Sequence, residues 1–176
     1  LARELRERNI SVVRMAFADP IKDIALHLLG MPKTVSYGTQ ADKENYKYYG
    51  KSARHWLQWI GTEVARNQVH PDTWIHRFVD RAVCSDAQVI TGSDCRFRNE
   101  IEVMREQLAG KMDLMVFKII NPRIPVNLQH QSESEVYHLP EDLFTGVIHN
   151  TSGLSELMTK IVDVADGVTN VLSCRP

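Results

Sequence analysis

Hydrophobic and polar positions change period several times along the chain, and each change marks an element. Residues 1–9 place Leu1 and Leu5 four apart among charges, the spacing of an amphipathic helix, with no capping residue ahead of it. Ser11-Val12-Val13-Arg14-Met15-Ala16-Phe17-Ala18 is apolar and β-branched at its start and predicts a strand. Asp19-Pro20 then opens a helix carrying Ile21, Ile24, Ala25 and Leu28, and Gly30 stops it. Residues 31–50 follow no period: Pro32, Gly38, Gly50 and tyrosines at 37, 46, 48 and 49 predict a long loop or mobile insertion. Helical spacing resumes over 52–67, through Trp56, Leu57, Ile60, Val64 and Ala65, and Pro71-Asp72 restarts a helix reaching Ala82. Residues 88–92 predict a short strand, 99–109 a helix, and the continuous apolar run 114–120 a buried parallel strand. An irregular segment, 121–142, precedes a last strand at 147–150 and a last helix at 154–164. Strands alternating with helices predict an α/β fold, a parallel sheet flanked by helices, with ligands at the carboxyl ends of its strands.

Length narrows this to one domain over residues 1–176, because domains run to about 100–200 residues. Lys and Arg number 21 against 22 Asp and Glu, a net charge of −1, which argues against a nucleic-acid coat protein. No apolar run approaches the roughly 20 residues of a membrane span. Three widely spaced cysteines, Cys84, Cys95 and Cys174, make neither a disulfide framework nor a zinc cluster, and predict reduced, buried or half-buried thiols in a cytoplasmic protein. The uncapped start, with neither initiator Met nor signal-peptide core, predicts that the sequence lacks its natural beginning.

Four places carry candidate chemistry. Gly50-Lys51-Ser52 copies the end of a phosphate-binding loop, but Asn45 stands where the first glycine belongs and bulky tyrosines intervene, so it is expected to lead into a helix instead. Asp94, just past the 88–92 strand, sits where an acid holds Mg²⁺ directly or through water, and Arg96 offers a two-pronged contact to phosphate. The bland alternative for Asp94 is a cap on the next helix. In the 52–67 helix, Arg54, Gln58, Gly61 and Thr62 lie near one face, suited to a base and its phosphate. Gly61 marks a close approach by ligand or backbone, or a packing contact, and Trp56 and Trp59 are expected in the core. Finally, Lys22 in a first helical turn opposes the favoured sign of charge there, a conflict that a bound phosphate would remove.

In order along residues 11–160, Phe17-Ala18-Asp19-Pro20-Ile21-Lys22, Arg54-x-x-Leu57-Gln58-x-x-Gly61-Thr62-Glu63, Pro71-Asp72-x-Trp74-Ile75, Asp94-x-Arg96-Phe97-x-Asn99-Glu100, His130-x-Ser132-Glu133 and Asn150-x-x-Gly153 resemble the bacteriophage-type deoxynucleoside monophosphate kinases, a P-loop kinase family. The resemblance implies a parallel sheet flanked by helices with a mobile lid, and ATP- and Mg²⁺-dependent conversion of a deoxynucleoside monophosphate to the diphosphate. It implies that Lys22, Arg54, Gln58, Gly61, Thr62 and Glu63 hold the acceptor, with Trp74 near its base. Asp94 and Arg96 would lie by the phosphates and magnesium, while Glu100, His130 and Glu133 help form or close the acceptor site. Such positioning and charge neutralisation are the chief needs of phosphoryl transfer.

The family's phosphate-binding loop should precede residues 1–9, and neither that loop nor its strand is in the sequence, which is expected to omit about 20–30 residues of a βα unit. The rival expectation is a non-catalytic nucleotide-binding module. Neither membrane nor nucleic acid is expected as a partner. Trp56, Trp59 and the tyrosines suit a homodimer face, a lid or the core.

Overall fold

The computed structural model describes residues 1–124, 135 and 137–174. The chain begins with helix α1 (Ala2–Glu7), strand β1 (Val12–Arg14), helix α2 (Asp19–Leu29), the short helices α3 (Lys33–Ser36) and α4 (Gln40–Asn45), and strands β2 (Lys47–Tyr48) and β3 (Lys51–Ser52). Helix α5 (Ala53–Gln58) continues as wide π-helical winding through Trp59–Val69 and is followed by α6 (Thr73–Val83). Strand β4 (Val89–Thr91), helix α7 (Arg98–Leu108), strand β5 (Phe117–Ile120), a 3-10 turn (Glu141–Leu143), strand β6 (Gly146–His149) and helix α8 (Leu154–Ser173) complete it. These elements form two compact units: Leu1–Arg14 with Ser85–Thr91 and Cys95–Pro176, and Met15–Cys84 with Gly92–Asp94.

The first unit is α/β, as expected, but its described strands make two parallel pairs, not one continuous sheet. Val12 pairs with Val89 in β1–β4, and Phe117 with Gly146 in β5–β6. The apolar run from Ser11 pairs over only three residues because Asp19 turns the chain: its N–H donates to Ala16 O at 3.2 Å and its Oδ2 accepts Ala16 N–H at 2.9 Å. Leu5 is fully buried against Ile10, Val12 and Ala165, with Val168 and Leu172 packed alongside. Burying a leucine contributes about 1.5–3 kcal/mol. That packing carries α8 past position 164, where the pattern predicted its end, and through Gly167, whose helical cost is about 1 kcal/mol. Arg8 reinforces it, donating to Asp166 Oδ1 at 2.6 Å.

The second unit gathers Ala25, Met31, Val35, Ala53 and Ile60 into a core. Gly30 ends α2 in the left-handed conformation (φ 66°), as its position predicted. Residues 31–50 carry two helices and a hairpin in place of the expected unpatterned loop. Thr39 and Asp42 explain α4: Thr39 Oγ1 accepts Asp42 N–H at 3.2 Å, and Asp42 Oδ2 accepts Thr39 N–H at 2.7 Å, a reciprocal cap. Tyr49 (φ 48°) and Gly50 (φ 76°) form the left-handed turn joining antiparallel β2 and β3. Ser52 then caps α5 by accepting His55 N–H at 3.2 Å. Gly50-Lys51-Ser52 is therefore a hairpin turn and helix cap, as the missing first glycine indicated.

Two burial expectations fail. Trp59 is 38% exposed, because the π-winding that starts there turns it off the face that a 3.6-residue repeat would bury. Trp56 is half-buried, donates Nε1–H to Tyr48 O at 2.7 Å and meets Trp59 edge-on at 5.6 Å. Cys84 and Cys174 are exposed free thiols, at the ends of α6 and α8, and only Cys95 is half-buried. Among the described residues, no helix is long and apolar enough to cross a membrane.

Candidate functional site

The entry to α2 organises the second unit's polar groups. Asp19 accepts the Tyr37 hydroxyl at 3.1 Å and lies 3.9 Å from Lys22 Nζ and 3.6 Å from an Arg81 nitrogen. Lys22 Nζ rests 3.8 Å from the centre of the Tyr37 ring, which holds the ammonium over the aromatic face. Burial, then the charge of Asp19, pushes the Tyr37 hydroxyl above its ordinary pKa, so it stays protonated and donating.

Three helices contribute cations to this region: Lys22 from α2, Lys43 from α4 and Arg54 from α5. Burial, followed by the positive charges of Lys22 and Arg54, holds the Lys43 ammonium below its ordinary pKa, with Asp42 opposing. Arg54 is aimed by Gln40, whose Oε1 accepts at 3.2 Å, and by Glu44 at 3.4 Å. Of these three, the sequence pointed to Lys22 and Arg54 and missed Lys43 and the Tyr37 ring. The reciprocal Thr39–Asp42 cap was the available signal that 31–50 is built and not slack.

Asp94 does not cap the following helix. Its Oδ1 accepts Phe17 N–H at 3.1 Å and its Oδ2 accepts Ala18 N–H at 3.0 Å, so it clamps the turn leading into α2 and Lys22. Phe17 stacks on Phe78 at 4.5 Å behind that turn. A carboxylate has about four lone-pair sites, so Asp94 keeps acceptor capacity for a water-held cation.

The remaining residues divide. Gly61 is a packing contact: a Cβ there would lie 2.9 Å from Ile21 Cδ1, and its carbonyl accepts Trp74 Nε1–H at 2.8 Å. Trp74 is buried and lines an apolar groove of about 830 Å³ with Ile24, Leu28 and Trp59. Pro20, Asp23, Ile24 and Leu28 line that groove from α2, whereas Lys22 projects from the opposite face of the same helix. Trp74 and Lys22 are therefore not brought together. Thr62 and Glu63 are exposed on the π-winding, where Glu63 accepts from Asn67 at 3.1 Å; Gln58 is exposed at the end of α5. In the first unit Arg96 is exposed, and Glu100, 1% exposed, accepts the N–H groups of Arg96 (2.7 Å) and Phe97 (3.1 Å), capping α7. His130 and Glu133 lie outside the described residues.

A mixed α/β protein with small parallel strand pairs, flanking helices and a cluster of cations is the class that the fold and this region define. No family model matches the sequence. A protein of Acanthamoeba polyphaga mimivirus, provisionally named as a deoxynucleotide monophosphate kinase, is 26% identical over 93% of this chain and 88% of its own length. The deoxynucleoside-5'-monophosphate kinase of Escherichia phage T5 is 27% identical over 65% of this chain, a match that spans 46% of the phage protein. The chain is thus similar in sequence to proteins named as deoxynucleoside monophosphate kinases.

Proposed function

We propose that this protein transfers the terminal phosphoryl group of Mg-ATP to a deoxynucleoside monophosphate, forming the diphosphate, within a P-loop nucleoside monophosphate kinase-like fold of a single functional domain. The observation that carries this reading is the gathering of Lys22, Lys43 and Arg54 from three helices, where Lys22 and Arg54 add their charges to burial in holding the Lys43 ammonium below its ordinary pKa. A dianionic phosphate relieves that repulsion. Arg54 meets it with a planar fork, and Lys22 and Lys43 meet it as point charges.

In this reading Asp94 holds the entry of α2 in register and lends its spare lone pairs to Mg²⁺ through water. When bound, Mg²⁺ neutralises charge on the donor phosphates. Arg96 pairs with a phosphate, and Gln58, Thr62 and Glu63 contact the acceptor nucleoside. Gly61 and Trp74 hold the acceptor helix in shape, and Glu100 keeps α7 capped behind Arg96. Much of the gain comes from holding donor and acceptor together, away from water.

The test is a coupled assay of the chain as encoded in its gene, with Mg-ATP and each deoxynucleoside monophosphate in turn. Turnover that falls in Lys22→Ala and Arg54→Ala supports the reading. A non-catalytic nucleotide-binding module is the second reading, favoured by the commitment of both Asp94 oxygens to backbone amides. It predicts monophosphate binding, lost in the same variants, with no turnover.

A further inference from the structure

We infer that His70, Asp72 and His76 form a binding site for a divalent transition metal of the zinc class, separate from any nucleotide chemistry. Their ligand atoms all lie within 4.8 Å of one another. His70 ends the π-winding, Asp72 stands at the start of α6, and His76 lies in its first turn. Two imidazoles and one carboxylate are the ligand mixture that suits Zn²⁺, with a fourth position left to water.

The backbone holds these groups together before any metal arrives. Thr73 N–H and Thr73 Oγ1–H both donate to His70 O, at 3.1 and 2.7 Å, and His76 N–H donates to Asp72 O at 3.0 Å. The two imidazole rings lie with centres 5.8 Å apart and planes tilted by 50°, and His70 Nδ1 lies 4.0 Å from Asp72 Oδ2. His70 Nδ1 also accepts Asp72 N–H at 3.1 Å, a bond that a metal on this nitrogen would replace. Both imidazoles are exposed, and closing on one ion needs side-chain rotation that draws the ligand atoms together from within 4.8 Å. The Asp72 carboxylate offsets the positive end of α6, which would otherwise repel a cation. A metal here ties the end of the π-winding to α6, the two segments already joined by the Trp74–Gly61 hydrogen bond.

The test titrates Zn²⁺ into the metal-stripped, nucleotide-free protein against a chromophoric chelator. The expected result is one ion per chain in the micromolar range or tighter, weakened about tenfold or more in His70→Ala and in His76→Ala. Co²⁺ substitution should give visible ligand-field bands without a near-ultraviolet thiolate band, which separates this site from the exposed cysteines. Zn²⁺ should also raise the melting temperature of the wild type and not of His76→Ala. Unchanged affinity in both histidine variants, or a thiolate band, overturns the inference. Because no nucleotide is present, failure of the kinase reading leaves this result unaffected.

Discussion

Lys22 lies 3.8 Å above the ring of Tyr37, fifteen residues away along the chain, and the two share Asp19 as a neighbour. The ring holds the ammonium in place, and a phosphate there would compete with Asp19 Oδ1, 3.9 Å away, for its charge. Removing a charged hydrogen-bond partner costs about 1.5–3 kcal/mol. Lys22→Ala should therefore lower kcat/KM for the monophosphate about 10- to 150-fold, with melting temperature within about 2 °C of wild type. Tyr37→Phe, which keeps the ring, should cost only a few-fold. Steady-state kinetics beside thermal melts check both.

Asp94 tests clamp and chemistry together. Asn at that position accepts one backbone N–H and turns an amide donor toward the other, leaving a partly buried N–H without its partner. A loss of about 1–3 kcal/mol in stability is expected, read from urea denaturation. If Asp94 also serves a cation, the variant's kcat should need a higher Mg²⁺ concentration. An unchanged Mg²⁺ dependence would leave Asp94 a clamp only.

At Gly61 the close approach of Ile21 decides the outcome. Ala brings a helix-propensity gain of about 1 kcal/mol but forces a methyl against Ile21 Cδ1, where overpacking costs about 1–3 kcal/mol. Because Ile21 Cδ1 is a side-chain end that can swing aside, Gly61→Ala should come out near neutral, within about 1 kcal/mol. Adding Ile21→Val removes the opposing methyl, so the double variant should be more stable than the sum of the singles by about 0.5–1 kcal/mol. Simple additivity would contradict the packing assignment.

Glu156 gives a pH prediction. Lys160, first, and then the Ser152 amide hold its carboxyl down from 4.5 to about 2. A carboxyl depressed in the folded state contributes stability that is full above its unfolded pKa, near 4.5, and is lost as pH falls toward 2. Glu156→Gln should flatten the fall in stability between those values, most visibly at low salt. Denaturation midpoints measured across that window check it.

Elements set by local signals were legible in the sequence: Asp19-Pro20 and Gly30 bounded α2, and the helix over 98–108 was displaced by one residue. What depended on distant partners was not. Nothing near Gly167 tells that Leu5 and Arg8 will carry α8 onward. No residue before Trp59 announces that the helix widens there and exposes it. At the candidate site, Lys22 and Arg54 could be picked as cations by position, but Lys43 joins them only because Thr39 and Asp42 fold α4. His70 and His76 escaped because the pattern reads them as a loop residue and a helix-face residue, and only the turn between them makes them neighbours.

The most direct measurement of the central claim is phosphoryl transfer from Mg-ATP to each deoxynucleoside monophosphate, by the protein as encoded and by its Lys22→Ala/Arg54→Ala variant. The account expects diphosphate from at least one acceptor, with kcat/KM at least about a hundredfold lower in the variant. Equal turnover by both proteins, or none by the wild type with every acceptor, would contradict it.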